Sequence, residues 1–244
     1  MSLSISATPA KSPAYRWQTI EGTTQALLIE KHDRPLVSWM IALPFGNYTD
    51  PKGKEGLTQF MGQMLLRGTT KHSRAQIEER LDFLGPSVDL SSGASSSVMD
   101  GEILAKNLPQ NPTLGIELLT QPAFDPAEIE KQKLETLSQL ELKLESDADL
   151  ARRAFYRSVY GSHPYARDAL GTPASIRSFT REDLQAHHQK FVHRGGLLIG
   201  MAGDLSEKTF KEQATLVHRS LRDGVAHPIV LAPSVRIEGR NIVL

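Results

Sequence analysis

The apolar runs of this chain come in pairs, and so do its turns. Gln25 to Lys31 (QALLIEK) and Leu36 to Pro44 (LVSWMIALP) are separated only by a turn at Asp33-Arg34-Pro35. Both are rich in Ile, Leu and Val and are of strand length, so they read as neighbouring strands. A second pair follows. Ser87 to Ser97 (SVDLSSGASSS) alternates small and apolar residues, and Val98 to Leu104 (VMDGEIL) returns as a hairpin. A further buried strand is expected at Leu197 to Ala202, closed by Gly203-Asp204. Strands arriving in hairpins fit an antiparallel sheet far better than an alternating parallel one.

Helices fill the gaps in clusters. One is expected from about Lys54 to Leu66, after the loop 45–53, ending near Gly68. Ser73 with Gln76 three residues on makes a capping box for a helix from Arg74 to Leu84, stopped by Gly85-Pro86. Asn111 to Thr120 is helical, and Asp125-Pro126 supplies an N-cap with proline at the first helical position for a long helix reaching about Glu145. Asp149 to Tyr160 is a further helix, Thr180 and Asp183 form a second capping box for a helix to Phe191, and a last helix spans Ser206 to Arg222. The resulting order, β-β-α-α-β-β-α-α-α-α-β-α, predicts an α+β fold: a largely antiparallel sheet with helices packed on one face.

Composition narrows the function classes. The 244 residues, 39% hydrophobic, suffice for a sizeable core. With 28 basic and 28 acidic residues the formal charge is zero, which gives no support to nucleic-acid binding or to membrane-surface binding. No cysteine is present, so disulfides, thiolate metal sites and cysteine nucleophiles are excluded. No apolar run is long enough to insert into a bilayer. The small, polar, Pro-containing start reads as a disordered leader over residues 1–18, ahead of a domain spanning 19–224. Compartment is left open, with the periplasm favoured over the cytoplasm.

Several chemical candidates read as structural. His187 and His188 are adjacent, so on a helix they point about 100° apart and do not converge with His193 on a metal. His163, beside Pro164, reads as a capping residue. Ser95-Ser96-Ser97 lies in a hairpin and lacks the Gly-x-Ser-x-Gly context of a nucleophile.

Three stretches, in order, carry a resemblance. They are "KGKEGLTQFMGQMLLRGTTKHSRAQIEERLDFLGPSV", "QPAFDPAEIEKQK" and "YGSHPYARDALGTPASIRSFTREDLQAHHQKFVHRGGLLIGMAGDLS". Over roughly residues 20 to 225 the chain resembles the pitrilysin/insulinase-type zinc peptidases, the M16 family, which includes mitochondrial processing peptidase. Active members carry an inverted His-x-x-Glu-His motif. Its two imidazoles, four residues apart, share a helical face and one zinc ion. The glutamate between them activates the bound water, and a third ligand, a glutamate, follows on a later helix.

In this chain Gln59 and Gln63 fall at the histidine positions and Gly62 at the base position, and counting 76 residues on from Gln63 reaches Gln139. A neutral amide oxygen is a weak zinc ligand and cannot act as a base. The resemblance therefore implies a non-catalytic member without zinc, its three glutamines joining two helices by amide hydrogen bonds. It also implies that Asp89, Leu90 and Ser91 sit where relatives hold an extended peptide against an edge strand.

The same resemblance makes residues 225–244 a linker and the start of a second domain. It suggests as partner an M16 subunit with an intact motif, or a homo-oligomer, closing a chamber around peptides. The alternative is an assembly module of the same fold, like the core subunits of the respiratory bc1 complex.

Overall fold

The computed structural model describes residues 14–84, 87–108 and 111–226. Its strands are β1 (Arg16–Ile20), β2 (Thr24–Glu30), β3 (Leu36–Leu43), β4 (Ser87–Ser92), β5 (Ser97–Leu104) and β6 (Leu198–Gly203). Its helices are α1 (Leu57–Leu65), α2 (Arg74–Leu84), α3 (Asn111–Thr120), α4 (Pro126–Leu144), α5 (Asp147–Tyr160), α6 (Pro173–Ser178), α7 (Arg181–Phe191) and α8 (Glu207–Ser220). The strands form one sheet in the order β1-β2-β6-β3-β5-β4. Every pairing is antiparallel except that of β2 with β6.

The α+β expectation holds, with one correction to the pairing. β2 and β3 follow each other in sequence but are not hydrogen-bonded partners. β6 lies between them, parallel to β2 and antiparallel to β3. A short connection permits a hairpin without enforcing one. Here β6 takes the central place, with Ile199 and Met201 buried and Gly200 closed over by Met40. β4 and β5 do form the expected hairpin, with Leu90 opposite Met99.

Alternation decides which face carries the helices. Val37, Trp39, Ile41 and Leu43 of β3 are buried, while Ser38 between them is exposed. Met99 and Ile103 of β5 and Ala26 and Leu28 of β2 lie on the same buried side. The opposite face keeps Gln25, Ser38 and Glu102 in the open, with Trp17 53% exposed. Leu57, Phe60, Met61, Met64 and Leu65 of α1 seal the helical layer, and α1 packs against β4, α4 and α7. At about 25 cal/mol per Å² of apolar surface, each such side chain contributes on the order of 2 kcal/mol to folding.

The helix boundaries follow the caps. Ser73 and Gln76 make their reciprocal bonds, as do Thr180 and Asp183. Asp125 accepts from the backbone of Ala127 and Glu128. Two elements were not expected, β1 and α6. β1 starts at Arg16, inside the stretch read as leader. The turn at Gly85-Pro86 and residues 227–244, nearly all of the stretch read as linker and start of a second domain, lie outside the described residues.

Candidate functional site

One long groove, about 560 Å³, runs between α1, α2, α4 and the edge strand β4. Its lining includes Gln59, Gln63, Gln139, Asp89, Leu90 and Ser91, so all but one of the positions singled out in the sequence meet in one place. The remaining one, Gly62, is buried beneath it.

The spacing explains the convergence. Gln59 and Gln63 are four apart and share the face of α1 turned away from the core. At Gly62 the strand and the helix come together. A Cβ there would stand 2.4 Å from Cδ2 of Leu90, so the leucine of β4 fills the space a side chain would take.

The amide cluster is not the one expected. Gln63 Oε1 accepts from Nε2 of Gln132, at 2.7 Å, and Gln132 also donates to Thr136 Oγ1 at 3.0 Å. Neither Gln59 nor Gln139 makes a side-chain hydrogen bond among the described residues. The reason is position along the helix rather than its face. Ile129, Gln132, Thr136 and Leu140 form the buried face of α4, and Gln132 is the polar member lying opposite α1. Gln139, two turns on, is exposed. Reading that 3-4-4 spacing as a core stripe would have identified Gln132 from sequence.

Salt bridges fasten the far end of α1. Arg67 is buried and reaches Glu128 at 3.2 Å and also Glu135, both on α4. The Glu128 carboxyl is held below its usual range, first by Lys131 and then by Arg67. Glu78, in the groove, is paired with Arg74 at 2.8 Å. Among the described residues no three His, Asp or Glu side chains converge on a point where a metal ion could sit.

The edge strand has a polar device of its own. The Asp89 carboxylate accepts from the backbone N–H of Leu90 at 2.8 Å. Leu90 turns in to the core, and Asp89 and Ser91 lie on the other face of the strand.

A second polar constellation was not foreseen. The Asp50 carboxylate accepts from the N–H groups of Gly56 and Thr58, both at 2.8 Å, and from Thr58 Oγ1 at 2.6 Å. Thr58 Oγ1 is also 2.8 Å from His187 Nε2. Burial pushes the Asp50 carboxyl up to about 6, against the pull of those hydrogen bonds. Burial likewise pushes His187 down to about 4, with Lys190 and His188 adding to it.

This Asp-Thr-His chain has the connectivity of a nucleophilic triad, but Thr58 is wholly inaccessible. It instead fixes the entry to α1, where Gly56 takes φ +90 against the Leu170 carbonyl. No local pattern joins residues 129 apart, so sequence alone could not have found it.

The other histidines take the structural places expected of them. His188 bonds the Leu119 carbonyl at 2.8 Å, away from the Thr58 hydroxyl that His187 meets. His163 caps the turn Pro164–Ala166 by accepting from Tyr165 N–H.

Comparison with known proteins identifies this architecture. The family model of the insulinases, peptidase family M16, matches residues 25–173. An uncharacterized zinc protease of Rickettsia felis is 25% identical over 73% of this chain and 43% of its own length. A non-peptidase homolog of Helicobacter pylori is 28% identical over 75% of this chain and 42% of its own length. The chain thus spans less than half the length of these curated relatives.

Among solved structures, a peptidase M16 inactive domain from Pseudomonas fluorescens superposes with a TM-score of 0.85 at 22% identity, covering 91% of this chain and 54% of that one. Pitrilysin superposes at 0.80 with 16% identity, covering 93% of this chain and 25% of its own. These structural likenesses concern the fold. With the family model matching well over half its residues, the chain belongs to the insulinase family, peptidase family M16.

Proposed function

We propose that this chain is a non-catalytic M16 subunit whose groove holds an extended peptide without hydrolysing it. The observation that carries this reading is the exchange at the centre of the groove. Where active relatives place ligands and a base, Gln63 is hydrogen-bonded to Gln132 and the space beside Gly62 is filled by Leu90. An amide locked in that bond has its oxygen occupied, and neutral amides are poor zinc donors in any case. The nearby carboxylates Glu78 and Glu135 are engaged by Arg74 and Arg67. This donor set does not fit zinc, so no hydrolytic step is assigned to it.

The names of two similar proteins, a non-peptidase homolog and an inactive domain, agree with this reading. In it, the missing chemistry comes from an M16 partner that keeps its motif, and the two subunits close around one peptide. Co-expression with such a partner, followed by a peptidase assay of the complex and of each chain alone, tests it. Cleavage by the complex, none by this chain, and loss of cleavage on removing this chain from the partner are the expected results. Chelator-sensitive cleavage by this chain alone contradicts it.

The second reading, an assembly module, is favoured by one observation. The Asp89 carboxylate already holds an N–H of the edge strand that an added strand would otherwise bond. A stable complex without any peptidase activity is its signature.

A further inference from the structure

α4 runs one turn past Gln139 to Lys143, about 6 Å at the helical rise. Lys143 lines a second hollow, about 260 Å³, between α5 and the segment 166–169. Lys143, Arg152, Arg153 and Arg167 line it, with the ring of Tyr156 beside them. Two carboxylates answer these four cations. Asp168 accepts from Lys143 at 3.1 Å, and Asp149 pairs with Arg152. Arg167 donates one Nη to the Asp50 carbonyl, at 2.9 Å. Arg153 makes no hydrogen bond or ion pair among the described residues.

Arg167 also faces the Asp50 carboxylate, so one positive charge is left over, on a guanidinium with every donor unused. A concave site with low-dielectric walls concentrates such a field. Guanidinium forks match a carboxylate in both charge and shape.

We propose that this hollow binds a carboxylate of the peptide lying in the groove, an acidic side chain or the terminal carboxylate. The inference rests on the reading of the groove as a peptide site and adds to it a preference for acid at one end. The hollow thereby fixes the direction and register of a strand that backbone bonds alone leave free to slide.

The test uses the whole chain and three labelled peptides of one sequence: an Asp-containing peptide with a free C terminus, its Asp→Asn counterpart, and its C-terminal amide. Binding is followed by fluorescence anisotropy at low salt. One of the two neutralised peptides is expected to bind about tenfold more weakly than the parent, the size of one charge-assisted hydrogen bond, and which one identifies the carboxylate. R153E, which has no partner to lose, is expected to abolish that difference. K211E, an equal charge change on α8 where Lys211 pairs with Glu207, is expected to keep it.

If all three peptides bind alike, or if R153E keeps the preference, the inference is overturned and the groove reading stands. If none of the three binds, the groove reading falls and the anchor falls with it.

Discussion

Gly62 and Leu90 form a matched pair, and the match can be measured. A methyl at position 62 would stand 2.4 Å from the end of the Leu90 side chain, which is flexible and can turn aside. Gly62→Ala is therefore expected to lose about 1 kcal/mol of stability, near the lower end of overpacking costs. With Leu90→Ala already present the obstruction is gone. The same change is then expected to stabilise by up to about 1 kcal/mol, the intrinsic preference of a helix interior for alanine. A double-mutant cycle in urea reads the sign change, and equal effects in both backgrounds contradict the packing described.

At this scale the sequence was informative about chemistry and less so about contacts. Gln59, Gln63 and Gln139 do share one groove. The partner of Gln63 is nevertheless Gln132, because Gln139 lies two turns further along the same side of α4 and is exposed.

Single elements were legible where their signals are local. Capping boxes at Ser73 and Thr180 and the Asp125-Pro126 start involve residues within three of each other, and all three stand in the structure. β1 was missed because it is an edge strand in which only Ile20 is buried, so it shows no alternation. α6 was missed because it has six residues and closes its capping box with Ser175 rather than Glu or Gln.

The entry to α1 yields a pH prediction. The Asp50 carboxyl is raised from 3.8 to about 6, so its contribution to stability is complete below 3.8 and is lost as pH rises through 6. His187 is lowered from 6.5 to about 4, so its contribution is complete above 6.5 and is lost as pH falls toward 4. Between pH 4 and 6 the two slopes oppose each other and largely cancel. Asp50→Asn removes one of them. The variant is expected to be less stable throughout and to lose a further 2 kcal/mol or so on acidification from pH 6.5 to 4, while the parent changes little. Urea midpoints across that range check this, and parallel curves for the two proteins contradict it.

At the scale of the whole molecule, chain order predicted the layers but not the strand order. β2 and β3 looked like a hairpin, yet β6, about 170 residues later in the chain, lies between them. That insertion is a long-range packing choice with no local signal. β4, paired only with β5, stands at the sheet edge opposite β1 and lines the groove.

The match covers less than half of the length of either curated relative. The claim on which the rest depends is that this groove no longer handles zinc. Calorimetric titration of the purified chain with zinc at neutral pH tests it most directly. The account predicts no stoichiometric tight site, and no change when Gln59, Gln63 or Gln139 is replaced by alanine. One tightly bound zinc per chain, lost on replacing those glutamines, would contradict it.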